Sequence, residues 1–200
     1  MSAFHTRQSL SEDLAGLGIE NGDGLFVHAS LGAVGHVIGG ARSVIEALID
    51  AVGETGLIAM PGFSTDAYEP DSLLSHSIED QKRIRDAVPG FDKRRSPTVA
   101  MGIIAETFRT WPGTFRSDHP TVSICARGGD AADYLSPHPL AWGTGPDTPL
   151  GAFRYRPDMK MPLIGVGWNR CSLLHTAETQ APHRRTKVRR FKRVENGEGT

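Results

Sequence analysis

The sequence predicts an α/β fold in which a mostly parallel central sheet is flanked by helices. Two short apolar runs, at 25–28 and 57–60, are typical of buried strands. Between them, residues 41–52 place their apolar side chains on one helical face. A strand, a loop, a helix and a second strand in this order predict a βαβ unit, whose two strands run parallel.

The other predicted elements follow in chain order. A helix is predicted at 7–18, before a turn at 21–24. Residues 62–95, here called the excursion, are polar and contain Pro and Gly, so we predict an inserted loop or lid with a helix at 76–87. Beyond the excursion, the pattern predicts a helix at 98–109, strands at 122–126 and 163–166, and a helix that begins at 172.

Composition limits the possible functions. The 200 residues carry a formal net charge of -1 and two widely separated cysteines, so neither a nucleic-acid partner nor a disulfide framework is indicated. No segment reaches the roughly 18 apolar residues of a membrane span, and the N-terminus lacks a secretory pattern. We therefore predict a cytoplasmic protein without a membrane partner. A basic stretch at 184–193 is typical of an edge or truncated strand or, less often, of a nucleic-acid arm.

A glycine-rich loop follows the first predicted strand, with glycines at positions 32, 35, 39 and 40. Backbone N–H groups in such a loop, beside the start of a helix, suit a phosphate or an oxyanion. The spacing matches neither the dinucleotide fingerprint nor a P-loop. Taken alone, the glycines are therefore better explained by tight turns and close packing.

His175 and Glu178 are three positions apart at the start of a predicted helix, so they share one face. A carboxylate beside an imidazole fixes its tautomer and stabilises the protonated ring, as a general base requires. Most such pairs are surface ion pairs. This one follows the strand at 163–166, and α/β sheets bind ligands at the carboxyl ends of their strands.

Three other clusters leave alternatives open or carry little. We predict no metal site around His119, because the histidines show no ligand spacing. The basic segment 91–98 either holds a phosphate or is a turn before a helix that Ser96 or Thr98 caps. The acidic residues of the excursion are either solvated or favour a cationic ligand.

In their order along the chain, these segments resemble the aminoglycoside 3-N-acetyltransferase family, also called antibiotic N-acetyltransferases. The resemblance covers residues 7–180, and its motifs include VHASLG at 27–32, GLIAMP at 56–61, AETFR at 105–109 and LLHTAE at 173–178. It implies a fold distinct from the small N-acetyltransferase fold. It also implies acetyl transfer from acetyl-CoA to the 3-amino group of a 2-deoxystreptamine aminoglycoside antibiotic, and hence resistance. Family members continue further, so we expect residues 1–200 to form one domain truncated at its C-terminus, and a homodimer is possible.

The resemblance also assigns roles to residues. It makes His175 the general base and Glu178 its orienting partner. Asp66 and Tyr68 in the excursion are candidates for contact with the antibiotic, although no family motif covers them. The residues expected to contact acetyl-CoA are Ser30, Leu31, Gly32, Val34, Gly35, Ser96 and Thr98. Two alternatives stay open, namely acylation of another amine metabolite and a non-catalytic CoA-binding module.

Overall fold

The computed structural model describes residues 4–65, 73–184, 186, 188–195 and 198–199. The elements of the first third of the chain are β1 Phe4–His5, α1 Arg7–Gly16, β2 Gly24–Phe26, β3 His28–Ala29, α2 Leu31–Val34, β4 His36–Val37, α3 Gly40–Val52 and β5 Leu57–Pro61. They contain the predicted βαβ unit, formed by β2, α3 and β5.

The later elements include three short 3₁₀ turns, Leu73–Ser75, Phe153–Tyr155 and Trp168–Arg170. In chain order, the helices and strands are α4 Ile78–Ala87, α5 Gly102–Arg109, β6 Thr114–Arg116, β7 Ile124–Gly128, α6 Ala131–Tyr134, α7 Pro149–Ala152, β8 Met159–Lys160, β9 Leu163–Ile164, α8 Leu174–Gln180, β10 Val194–Glu195 and β11 Glu198–Gly199. Each helix and strand predicted from the pattern is present, with its ends shifted by up to four residues.

A five-stranded sheet with the order β6-β7-β5-β2-β8 forms the centre of the fold. β2 pairs in parallel with β5 and β8, whereas β7 pairs antiparallel with both β5 and β6. The predicted central sheet with flanking helices is therefore confirmed, but the prediction that the sheet is mostly parallel is wrong. The connection from β6 to β7 comprises residues 117–123 alone, which is too short for the crossover that a parallel pair needs.

Side chains along the central strands alternate between two apolar cores, one on each face of the sheet. Leu25, Ile58 and Met60 point to the core that contains buried residues of α1, α3 and α5, among them Leu48 and Phe108. The opposite core contains buried residues of β2, β5 and β7 together with α6 and α7, namely Phe26, Leu57, Ala59, Ile124, Ala126, Ala131, Tyr134 and Leu150. The fold thus has three layers, with helices covering both faces of the sheet.

α3 owes its position to its apolar face and to its termination. Val44, Ile45 and Leu48 are buried, as the helical spacing predicts. The helix ends at Gly53, whose φ of 67° belongs to the left-handed region. A Cβ at this position would lie 2.0 Å from Asn21 Nδ2, the end of a flexible side chain, so the backbone conformation is the main reason for glycine.

Both ends of the excursion are attached to the buried side chain of Arg116. Its Nη2 donates to Gly62 O and Ser64 Oγ, each at 2.6 Å, and its Nη1 donates to Ser96 O at 2.6 Å. The guanidinium also lies 4.9 Å from the ring centroid of Phe91. α4 provides the helix predicted within the excursion, whereas a lid function stays a prediction.

The basic stretch lies along the C-terminal end of the excursion. Phe91 N–H donates to Lys192 O at 2.8 Å, and Val194 N–H donates to Phe91 O at 2.9 Å. β10 then pairs antiparallel with β11. In the described part of the stretch, sheet pairing is limited to the isolated bridge between Phe91 and Arg193, so its interpretation as an edge strand stays a prediction. Among the described residues, no helix is long and apolar enough to cross a bilayer.

Candidate functional site

A pocket of about 580 Å³ opens beyond the carboxyl ends of β3 and β9, where α/β folds commonly bind ligands. Three segments form most of its wall: the junction of β3 and α2, the approach to α5, and the loop between β9 and α8. The lining residues are 27–32, 60–61, 100–105, 165–167, 169–170 and 172.

The first turn of α2 forms part of the pocket wall. Ser30 N–H donates to Ile164 O at 2.9 Å, which fixes the start of α2 beside β9. Ser30 O accepts from Val34 N–H at 3.1 Å and so closes the short helix. The N–H groups of Leu31 and Gly32 belong to the first turn, where a helix supplies no acceptor of its own. Because both residues line the pocket, they could donate to a ligand oxygen.

Gly165 allows β9 to end close against α2. Its φ is 66°, a conformation that side-chain-bearing residues rarely adopt. A Cβ here would lie 2.8 Å from Ala33 Cβ and 3.1 Å from Ser30 O. The glycine-rich loop itself contains the tight turns that its pattern suggested, because Gly35, Gly39 and Gly40 all have positive φ.

The approach to α5 is shaped by backbone conformation and by Glu106. Ala100, with a φ of 59°, lies in the left-handed region and lines the pocket. The prediction that Ser96 or Thr98 caps a helix beginning at 98 is wrong, because α5 begins at Gly102 without a side-chain cap. Thr98 N–H instead donates to Glu106 Oε2 at 2.7 Å, and this bond ties Thr98 to the helix surface, outside the helix itself.

His175 and Glu178 form the predicted pair on α8. His175 Nδ1 lies 2.8 Å from Glu178 Oε2, a distance that lets the ring donate to the carboxylate and leaves Nε2 available to accept a proton. The two side chains are 50% and 71% exposed, and neither lines the pocket. His175 N–H donates to the carbonyl of Ser172, which does line it, at 3.1 Å. The pair therefore stands one helical turn from the pocket wall.

His28 is a site residue that the sequence reasoning missed. The residue is 5% exposed and lines the pocket, and its ring accepts the Ser172 N–H at Nε2 over 2.9 Å. Burial lowers the pKa of His28 to about 4, so the ring is neutral at pH 7. The sequence offered one signal, a lone polar residue at the end of an apolar strand.

The other predicted ligand-binding residues are distributed unevenly. Ser30, Leu31 and Gly32 line the pocket. Val34 and Gly35, at the far end of α2, do not, and neither do Ser96 and Thr98. Asp66 and Tyr68 lie outside the described residues.

Neither metal ligands nor a reactive thiol stand out in the part of the chain that the structure describes. Those residues contain no group of three His, Cys, Asp or Glu side chains that could hold a metal ion. Cys125 and Cys171 are free and buried. Burial raises the pKa of the Cys125 thiol to about 11, which suits a packing role.

Comparison with known proteins gives a consistent result. A model of the family described as aminoglycoside 3-N-acetyltransferase matches residues 26–200. The chain is 37% identical over 183 residues to YokD of Bacillus subtilis, an SPbeta prophage-derived aminoglycoside N(3')-acetyltransferase-like protein. The aligned region covers 90% of this chain and 67% of the relative. It is 34% identical over 177 residues to aminoglycoside N(3)-acetyltransferase IX of Micromonospora chalcea. That aligned region covers 88% of this chain and 62% of the relative. The chain thus spans 62–67% of the length of these curated relatives.

Solved structures agree with the sequence relatives. The crystal structure of YokD from Bacillus subtilis superposes with a TM-score of 0.91 at 35% identity, covering 98% of this chain and 79% of that one. A binary complex of AAC-IIIb with CoASH superposes with a TM-score of 0.86 at 33% identity, covering 99% of this chain and 74% of that one.

Proposed function

Because the chain belongs to the aminoglycoside 3-N-acetyltransferase family, we propose that it transfers an acetyl group from acetyl-CoA to the 3-amino group of a 2-deoxystreptamine aminoglycoside. Such a reaction inactivates an antibiotic and gives resistance. One observation carries the proposal for this chain: an imidazole braced by a carboxylate at 2.8 Å stands one helical turn from a pocket that offers backbone donors.

Proton transfer is the task of His175. Acetyl-CoA supplies a thioester that the amine can attack, but most of the amine is protonated near pH 7 and must lose a proton. That first proton passes to solvent before attack. Nε2 of His175 accepts a second proton, from the attacking nitrogen, as the C–N bond forms, and Glu178 stabilises the resulting imidazolium. The C–S bond breaks, and the departing thiolate takes the proton from His175. The N–H groups of Leu31 and Gly32 donate to the carbonyl oxygen as negative charge develops on it.

The pocket lining suits the chemistry of a thioester that carries phosphates. Ser30, Leu31 and Gly32 provide the wall nearest the proposed reacting centre, and Arg170 provides a cation that can pair with phosphate oxygens. Asp66 and Tyr68 are proposed to contact the antibiotic. The residues outside the pocket wall that we still propose as acetyl-CoA contacts are Val34, Gly35, Ser96 and Thr98. We place the reaction in the cytoplasm, where acetyl-CoA is available, and a homodimer stays a prediction.

The proposed function is tested by the release of free CoA thiol when the purified protein is mixed with acetyl-CoA and a panel of aminoglycosides. Mass spectrometry of the product should locate the acetyl group on the 3-amino nitrogen. Replacement of His175 by Ala should lower kcat by about 10²–10⁴-fold while acetyl-CoA binding is retained. The matched control is His36→Ala, which removes an exposed histidine outside the pocket.

Three outcomes separate the alternatives. Thiol release with other amines but no aminoglycoside would point to acylation of a different metabolite. Binding of CoA without turnover, measured by calorimetry, would point to a CoA-binding module. A His175→Ala protein with unchanged turnover would contradict the assignment of the base while leaving the reaction intact.

A further inference from the structure

One hydrogen bond joins two walls of the pocket. It runs from Ser172 N–H to His28 Nε2 over 2.9 Å, between residues that lie 144 positions apart in the chain. His28 lies two residues before Ser30, at the start of α2. Ser172 lies in the loop that leads to α8. Both partners are buried, with 5% and 6% of their surface exposed, although both also line the pocket.

The bond continues directly into the helix that carries the proposed base. Ser172 uses its N–H for the bond to His28 and its carbonyl oxygen for the bond from His175 N–H, at 3.1 Å. Any shift of Ser172 away from His28 therefore moves the first turn of α8. The distance between the Ser30 wall and the His175 ring depends on this link.

The chemistry of His28 indicates that it serves this link and not stability alone. A neutral ring that accepts at Nε2 carries its proton on Nδ1. That Nδ1 is buried and has no hydrogen-bond partner among the described residues. A buried donor without an acceptor destabilises the fold, so an apolar residue at this position would remove one such defect while creating another at Ser172 N–H. Removal of the unpaired Nδ1–H raises stability, and loss of the acceptor for Ser172 N–H lowers it. Only the second change breaks the hydrogen bond between the two pocket walls.

We propose that His28 is a positioning residue for the acetyl transfer, which acts by holding Ser172, and through it His175, at a fixed distance from the Ser30–Gly32 wall of the pocket. The inference rests on the proposed function. A displacement of about 1 Å in a reacting group can lower a rate by about 10²-fold, so the expected effect is on kcat more than on the KM for acetyl-CoA.

Three substitutions at position 28 test the role of the acceptor. In His28→Gln, the side-chain amide oxygen reaches the place of Nε2 and can accept from Ser172 N–H. In His28→Asn, the amide reaches only the place of Nδ1. His28→Leu has a similar size and no acceptor. We expect the Asn and Leu proteins to lose about 10–100-fold in kcat, and the Gln protein to stay within about threefold of wild type.

Each variant is measured for kcat, the KM for acetyl-CoA, the melting temperature, and amide hydrogen exchange in the segment from 171 to 176. The exchange measurement needs no turnover. It therefore tests whether residue 28 holds Ser172 even if the wild-type protein acetylates no aminoglycoside. Faster exchange in the Asn and Leu proteins, with wild-type exchange in the Gln protein, supports the link. The positioning role is refuted by a Leu protein with wild-type kcat, or by a Gln protein as slow as the Leu protein at equal melting temperature.

Discussion

Mild acid should destabilise this protein through histidines whose pKa is lowered by burial, among them His28 and His138. Burial lowers the pKa of His28 and of His138 to about 4 each, against an ordinary value of 6.5. At a pH between 4 and 6.5, the unfolded chain binds a proton at each of the two histidines and the folded protein does not. The stability that their neutral state supports is therefore present above pH 6.5 and is lost as the pH falls towards 4.

The size of this loss follows from the two pKa values. At pH 5, each histidine lowers the free energy of unfolding by about 2 kcal/mol relative to pH 7, and the pair lowers it by about 4 kcal/mol. Domains of this size have a total stability of about 5–15 kcal/mol, so the effect is a large fraction of it. Carboxylates with lowered pKa values contribute only at more acidic pH, since their ordinary values are 3.8–4.5; they are Asp23, Asp50, Asp92 and Glu106.

Urea denaturation at pH 7 and pH 5 measures the difference. In His138→Gln, the side-chain amide can still donate to Gly143 O, which His138 Nε2 reaches over 2.7 Å, but no group titrates. This variant should lose about 2 kcal/mol less than wild type between the two pH values. His36→Gln, at an exposed position, should match wild type. Equal wild-type stability at pH 7 and pH 5, or a His138→Gln protein as acid-sensitive as wild type, would refute the reasoning.

Three further substitutions probe the base, the pocket wall and the buried arginine. Glu178→Gln should lower kcat by less than His175→Ala does and leave the KM for acetyl-CoA unchanged, as steady-state thiol release would reveal; a lowered affinity for acetyl-CoA would argue against a purely orienting role. Gly165→Ala should destabilise the protein by about 1–3 kcal/mol and weaken CoA binding, because the new Cβ meets Ala33; calorimetry that finds wild-type affinity would contradict this. Arg116→Met removes the groups that donate hydrogen bonds to several buried acceptors, so the free energy of unfolding, measured by urea denaturation, should fall by about 3 kcal/mol. A loss below about 1 kcal/mol would show that the acceptors find other partners.

Much of the fold could be predicted because its signals are local. The βαβ unit follows from two apolar runs and one helical face, and the structure pairs β2 with β5 in parallel. The pairing of His175 with Glu178 follows from their spacing on one helix, and the structure brings them to 2.8 Å. In both cases, the interacting residues are close in sequence or share a periodic pattern.

The parts that could not be predicted depend on contacts between distant segments. β7 pairs antiparallel with β5. The apolar run of β7 predicts a strand, but it does not indicate which strand lies beside it or whether the two run parallel. The start of α5 at Gly102 depends on Glu106, which accepts the N–H of Thr98 and so keeps it out of the helix. The bond between His28 and Ser172 joins residues 144 positions apart, and the polar residue that ends the first strand does not indicate its distant partner.

Arg116 holds the two ends of the excursion close together at one place in the fold. One guanidinium holds Gly62, Ser64 and Ser96, so the chain leaves and re-enters the folded body at neighbouring points. The entropy of closing a loop between fixed ends grows only slowly with its length. The segment between these points can therefore change in length at little cost in loop-closure entropy while the βαβ unit stays the same.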